Sequence, residues 1–291
     1  VIFTSAGTYL LIRKELKPLA DLNKTMEDIN EKLLYLQINA TEDTSEELAH
    51  LIGNFNKMMA RLDKAFKSQR QFVENVSHEV KTPLTVIRTN LESIILDKHI
   101  SKSDLDEAMH SSIDSINFLN NLVEDLMLLS FLDKGDIKKE DIDLKVLCED
   151  IIEELNTSAK ANEINLKFDV GVDKKYLVSA SEILLKRAVS NLVENAIKYS
   201  YKKSDVVIAL NDNGNNIELY ITNTGEQISD EFKDKIFDRF FRIDKSRSRS
   251  TGGFGLGLAI TKEIIEAFGG KIAVNTKKDT NTFTISLLTQ N

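Results

Sequence analysis

His78 stands in the run Ser77-His78-Glu79-Val80-Lys81-Thr82-Pro83-Leu84. An apolar seam passes through Val76 and Val80. His78 is two residues from each, about 200° round a helix. Its imidazole is therefore directed away from the seam and toward solvent. An inert surface histidine and a nucleophile both fit that position, and the neighbours favour the nucleophile. A neutral imidazole carries a nucleophilic nitrogen near neutral pH. Glu79 can accept one ring N–H and leave the other nitrogen to attack. Thr82, four residues on, shares the His78 face. Pro83 lacks an N–H, so the Glu79 carbonyl loses its helical partner and the helix can bend there. A bend beside a nucleophile leaves room for a second domain to approach.

Four stretches of the second half carry residues suited to anions and flat rings. In Asn191-Leu192-Val193-Glu194-Asn195-Ala196-Ile197-Lys198-Tyr199, the polar residues Asn191, Asn195 and Lys198 fall on one helical face. An amide oxygen can complete an Mg²⁺ shell otherwise made by phosphates and water. Lys198 can meet phosphate, and Tyr199 offers a flat surface to a base. A plain polar helix face fits the same residues. In Ile221-Thr222-Asn223-Thr224-Gly225-Glu226-Gln227-Ile228, Asn223 closes a strand and can accept a hydrogen bond from a base amino group, while Gly225 lets the base approach the backbone. Asn-x-Gly is also common in turns. In Ile236-Phe237-Asp238-Arg239-Phe240-Phe241-Arg242, the aromatics suit either a core or a latch, with Arg242 aimed at phosphate. Gly252-Gly253-Phe254-Gly255-Leu256-Gly257-Leu258 opens a helix, so its backbone N–H groups and the helix N-terminus can cradle phosphate. A dinucleotide-binding loop is the rival, but it should follow a strand directly. Here the glycines follow the charged run DKSRSRST.

The elements that must position these groups are legible in outline. Leu19, Leu22, Met26, Ile29, Leu33 and Leu36 recur at steps of three and four, a coiled-coil seam. A polar connector, Asn39 to Ser45, follows. A second seam runs from Leu48 through Phe55, Leu62, Val76 and Val80 to Ile94. A polar break, Asp97 to Ser103, precedes a third helix carrying Leu105, Met109, Ile113, Ile116 and Leu129, with Gly135 as its stop. From about residue 140 the texture changes. A helix is expected from Leu144 to Ala161, and others over 181–200 and 257–268. Strands are expected at 165–170, 206–210, 217–222, 271–275 and 282–287. Asp212-Asn213-Gly214-Asn215 reads as a hairpin turn. The fold class is thus multidomain, with an all-α, coiled-coil-like first half and an α/β sandwich after it.

Composition narrows the function classes. A net charge of −8, with no basic run of five, argues against a nucleic-acid binder. The single Cys148 excludes an internal disulfide and sits among apolar residues, so it reads as a buried structural thiol. Residues 1–12, VIFTSAGTYLLI, carry no charge and are followed by Arg13, Lys14 and Lys17. Twelve residues are fewer than the ~20 a membrane-crossing helix needs. The segment reads as the cut end of such a helix, with its basic flank on the cytoplasmic side.

SHEVKTPL resembles the phospho-acceptor box of sensor histidine kinases, and the paired helices around it resemble that family's dimerisation and phosphotransfer domain. The resemblance implies His78 as phospho-acceptor, Glu79 as proton acceptor and Thr82 as a positioner of water during dephosphorylation of a partner. Residues 13–64 resemble a HAMP signal-relay domain. The four later stretches, in their order, resemble the catalytic ATP-binding domain that these kinases share with gyrase and MutL. That resemblance implies ATP and Mg²⁺, with Asn195 as metal ligand and Asn191 near phosphate and metal. It puts Lys198 on phosphate, Tyr199 against adenine, Asn223 and Gly225 at the base, and Arg242 at phosphate. Gly253, Gly255 and Gly257, with Leu258, fall in the lid hinge. Two residues depart from the pattern: Asn223 replaces the family's Asp at the adenine contact, and Gln227 replaces its second glycine. Both bear on nucleotide affinity.

The expected division is 1–12 membrane end, 13–64 HAMP, 65–135 dimerisation and phosphotransfer, and 140–291 catalysis. The expected function is a bacterial membrane-anchored, homodimeric kinase that phosphorylates its own His78, passes the group to an aspartate of a response regulator and also dephosphorylates that partner. Each two-helix unit has more apolar face than it can bury alone, so four helices should pack in a dimer. A relay scaffold that binds ATP poorly, a partner phosphatase and a gyrase-type ATPase are the alternatives. The last is disfavoured because Asn191 stands where ATPase relatives carry a water-activating Glu.

Overall fold

The computed structural model describes residues 38, 46–97, 100–132, 137–171, 174–243 and 253–290. The expected membrane end, the seam from Leu19 to Leu36, the polar connector apart from its neighbour Ile38, His99, Gly252 and the run at 244–251 lie outside the described residues. The chain divides into two compact units, Val1–His78 and Glu79–Asn291.

Helix α1 spans Glu46–Leu96 and opens with Glu46 and Glu47, which suit the positive end of the helix dipole. Within the first unit, Ile52, Phe55 and Met59 are buried, at the three- and four-residue steps of the second seam. Asn56 fastens a neighbouring stretch of chain to this helix. Its Nδ2 donates to the Ile38 carbonyl at 2.8 Å, and its Oδ1 accepts from the Ile38 N–H at 3.1 Å. Pro83 lies inside α1 without ending it.

In the second unit, α2 spans Lys102–Leu132. Asn90 Nδ2 of α1 reaches the Ala108 carbonyl and the Ser112 hydroxyl of α2, both at 3.2 Å, which sets the two helices side by side. The α/β part follows. Strand β1 is Glu140–Asp143, helix α3 Leu144–Ala161, strands β2 Asn165–Asp169 and β3 Leu177–Ala180, and helix α4 Glu182–Lys198. Then come β4 Asp205–Asp212, β5 Asn216–Thr224, a 3₁₀ turn at Lys235–Phe237, helix α5 Gly257–Ala267, β6 Lys271–Lys277 and β7 Thr280–Leu288. The main sheet has the order β2-β4-β5-β7-β6, with β2 parallel to β4 and the other pairs antiparallel.

Alternation decides which face of this sheet is covered. Ile217, Leu219, Ile221 and Asn223 of β5 are buried, as are Asn281, Phe283, Ile285 and Leu287 of β7. The intervening residues are half-buried. Helices α3, α4 and α5 pack on the buried face, where Leu185, Val189, Ile260 and Ile264 meet the strands. The expected hairpin forms between β4 and β5: Gly214 takes φ +87°, and its N–H donates to Asp212 Oδ1 at 2.7 Å. Its positive φ is one that glycine adopts without strain.

The eight helices and strands expected in the α/β half are present, within a residue or two of their expected ends. The two-stranded sheet of β1 and β3 was not foreseen. Asp143 ties it together. Its Oδ1 accepts from the Lys145 N–H at the start of α3 (3.0 Å) and from the Tyr176 N–H before β3 (3.2 Å). Two strands of four residues carry too little alternation to be recognised alone.

Candidate nucleotide site and phospho-acceptor helix

His78 is exposed on α1, as its angle from the seam requires, with Glu79 half-buried and Thr82 exposed. His50 and His110 are exposed as well.

The nucleotide candidates converge in the second unit. Asn191, Asn195 and Lys198 lie on α4, all half-buried. Asn191 Nδ2 donates to the Gly257 carbonyl at 3.4 Å, joining this face to the first residue of α5. A Cβ on Gly257 would sit 3.4 Å from Asn191 Oδ1. The Lys198 ammonium lies 3.6 Å from where a Cβ on Gly253 would be, and 5.1 Å from the centre of the Tyr199 ring. The α4 face and the glycine run thus border one space. Helix α5 starts after Leu256, whose side chain makes no capping hydrogen bond to the backbone N–H groups of its first turn. That is the arrangement that favours an anion. Leu258, in this turn, is half-buried.

Gly225 joins the second stretch to the first. A Cβ there would stand 2.1 Å from the Tyr199 carbonyl oxygen, a distance no side chain can occupy. Tyr201 N–H donates to the Thr224 carbonyl at 2.8 Å, and Gly225 N–H to the Asp279 carbonyl at 2.7 Å. Next to it, Asn223 is only 2% exposed, and its Nδ2 has no hydrogen-bond partner among the described residues. Leaving a buried donor unmade costs on the order of 1–3 kcal/mol. A base edge presented to this amide would satisfy it.

Gly255 brings in the third stretch. It takes φ +71°, and a Cβ would stand 2.7 Å from the Phe241 carbonyl oxygen. Phe240 N–H donates to the Gly255 carbonyl at 2.9 Å, and Arg239 pairs with Glu263 of α5 at 3.0 Å. Arg242 follows directly and is half-buried. The aromatic segment is therefore a brace for the glycine run as well as core, since Phe237 is buried.

Sequence reasoning passed over four positioning contacts. Asn281, opposite Asn223 in register, is 3% exposed; it donates to the Glu226 carbonyl at 2.9 Å and accepts from Ile228 N–H at 3.2 Å. It holds the loop that carries Gln227. Thr261, fully buried, donates to the Gly257 carbonyl at 2.9 Å. On α2, Asp125 meets Arg187 of α4 at 2.9 Å, and Phe118 meets Phe254 of the glycine run with ring centres 4.2 Å apart. Burial raises the Asp125 carboxyl above its ordinary range, opposed by Arg187. A polar residue at an inward strand position, as Asn281 is, was the one signal available.

The residues fit a nucleotide: a buried amide nitrogen without a partner among the described residues, a lysine beside the glycine run and a helix N-terminus that Leu256 does not cap. An α/β domain of this kind joined to a helical hairpin with an exposed histidine defines a class, the ATP-using phospho-acceptor proteins. The comparisons with known proteins agree. The His Kinase A (phospho-acceptor) domain matches residues 68–135, and the Histidine kinase-, DNA gyrase B-, and HSP90-like ATPase domain matches residues 180–291. The signal transduction histidine-protein kinase ArlS of Staphylococcus aureus is 34% identical over 282 residues, 95% of this chain and 61% of that protein. The chain thus spans about three-fifths of the length of the curated relatives it matches. The solved structure of the Acinetobacter baumannii histidine kinase AdeS superposes with a TM-score of 0.61 at 25% identity, covering 74% of this chain and 98% of the other. Histidine kinase ThkA in its complex with the response regulator protein TrrA shares the fold at TM-score 0.60 and 20% identity, over 78% of this chain and 64% of that one. The chain belongs to the histidine kinases.

Proposed function

We propose that the chain is the catalytic part of a membrane-anchored sensor kinase that transfers the γ-phosphoryl group of ATP to His78 and then to an aspartate of a response regulator. The observation that carries this reading is the junction of Asn191, Lys198 and the Gly253–Gly257 run at one helix N-terminus, in a chain whose phospho-acceptor box exposes His78. The membrane end at 1–12, the HAMP relay at 13–64, the helical phosphotransfer domain at 65–135 and the catalytic domain at 140–291 are the proposed divisions. The uncharged start of the chain with its basic flank supports the anchor on the cytoplasmic side of a bacterial membrane. Among the described residues no helix is long and apolar enough to cross a membrane.

In the proposed reaction one imidazole nitrogen of His78 attacks the γ-phosphorus. An N–P bond forms as the P–O bond to the β-phosphate breaks, and ADP leaves. The proton on the other ring nitrogen passes toward Glu79. Lys198, Arg242 and the backbone N–H groups at the start of α5 bind the phosphates, and Tyr199 lies against the base. Mg²⁺, held by Asn195 with Asn191 close to it, would neutralise phosphate charge, as phosphoryl transfer rests mainly on positioning and electrostatics. Thr82, exposed four residues on from His78, supports a second activity, the positioning of water to dephosphorylate the partner. The structure of ThkA with TrrA supports a response regulator as that partner.

Incubation with γ-labelled ATP and Mg²⁺ tests the reading, comparing the wild-type chain with His78→Ala and Asn195→Ala. An acid-labile, base-stable label lost in both variants is expected. Label that survives His78→Ala would mean another nucleophile. An unlabelled wild type that still binds nucleotide would favour the phosphatase or the scaffold.

A further inference from the structure

Helix α2 carries a stripe that belongs to the α/β half. Phe118, Leu122, Asp125, Leu129 and Leu132 follow at steps of four, three, four and three, so they share one face. Leu122, Leu129 and Leu132 are buried in the same apolar cluster as Leu192, Leu256 and Ile260, and Phe118 packs against it. Two contacts on this stripe reach the elements that border the nucleotide site. The Phe118 ring lies 4.2 Å, centre to centre, from that of Phe254 in the glycine run. Asp125 pairs with Arg187 of α4 at 2.9 Å. Phe118 and Asp125 stand two turns apart, roughly 10 Å along the helix.

Each contact acts on the site through its own element. Phe254 is buried and stands between Gly253 and Gly255, at φ +134° and +71°. Glycine takes those conformations without strain, and a run so built is equally free to leave them. Phe254 is the side chain by which α2 fixes it. On α4, Arg187, Asn191, Glu194 and Lys198 follow at steps of four, three and four along one face. Asp125 holds one end of that face, and Asn191 and Lys198 lie further along it beside Gly257 and Gly253. Ordering both walls before a ligand arrives lowers the cost of binding it.

We propose that α2 is a positioning element of the nucleotide site. Phe118 and Asp125 hold the glycine run and α4 in the arrangement that takes the phosphates, so seating on α2 and nucleotide binding strengthen each other. The proposal rests on the ATP-dependent kinase reading above. Both residues act through others, Phe118 through Phe254 and Asp125 through Arg187.

The test uses the full chain, with ADP and Mg²⁺ as the probe. Titration calorimetry compares wild type with Phe118→Ala and Asp125→Ala. Phe118→Ala should weaken ADP about three- to ten-fold at unchanged stoichiometry, the worth of one aromatic pair. Asp125→Ala should weaken it about two- to five-fold, less because the Arg187 side chain is 46% exposed. A variant that merely folds less would bind fewer equivalents at wild-type affinity, and wild-type affinity in either variant overturns the role of its residue. Coupling runs both ways, so in wild type saturating ADP should slow hydrogen exchange of the α2 amides over 118–129 by at least about three-fold. Exchange unmoved by ADP overturns the proposal even if neither variant folds. Weakened binding and slowed exchange in a chain that puts no label on His78 would sink the kinase reading and leave the coupling standing. A wild type that binds no ADP would sink both.

Discussion

In the α/β half, Ile208, Leu219, Ile221, Ile260 and Ile264 are all but inaccessible, whereas Leu91, Ile95, Met109, Ile113 and Met127 on the helices keep half or more of their surface exposed. Both sets are apolar and regularly spaced. A sheet with helices on one face closes its own core. A hairpin of two helices cannot cover a seam on each, and burying such a side chain is worth roughly 1.5–3 kcal/mol. The exposed helical row is what a second copy of the hairpin would cover, giving a four-helix bundle. The two halves also divide the chemistry. The α/β half gathers groups for a nucleotide by bringing backbones closer than any side chain allows, while α1 presents His78 at its surface.

The sharpest contrast lies in accessibility to reagents. Burial pushes the Cys148 thiol of α3 up to about 12. At pH 8 its alkylation should be slower than in the urea-unfolded chain by on the order of a thousand-fold, from the lower thiolate fraction. Rates within ten-fold of each other would mean that this core opens readily. Gly225→Ala comes next. With a backbone oxygen 2.1 Å from the new methyl, ADP affinity should fall at least ten-fold and stability by about 1–3 kcal/mol, the usual cost of overpacking. Calorimetric titration and urea melts read the two effects; unchanged ADP affinity would separate Gly225 from the base site.

Ile113→Asp attacks the other side of the comparison. A charge in the exposed row should shift a dimer toward monomer in light scattering while leaving ADP affinity within about two-fold, since surface changes away from a site cost little. An unaltered mass would place the dimer contact elsewhere. The smallest effect belongs to Asp125, which joins α2 to α4. Its folded carboxyl titrates above the unfolded value of about 3.9. Between those two values the folded chain holds the extra proton, so stability falls as pH rises through the window and levels off above it. Asp125→Asn should flatten that slope in urea melts run from pH 4 to 7. An identical slope in the variant would assign the pH dependence to other groups.

Much of this was open to inspection in the sequence because it depends on neighbours a few residues apart. The angle of His78 from its seam, the polar face of α4, the strands of the main sheet and the glycine run before α5 are all local patterns. The resemblance to histidine kinases rests on the same short stretches. What the chain path alone decided joins residues far apart. Asn191 meets Gly257 across 66 positions and Asp125 meets Arg187 across 62. Periodicity says which face a side chain takes, but not what stands opposite it. For that reason Asn223 and Asn281 look alike in sequence, two polar residues at inward strand positions. Only the packing of β5 against β7 and the Glu226–Ile228 loop engages one amide fully and leaves the nitrogen of the other without a partner among the described residues.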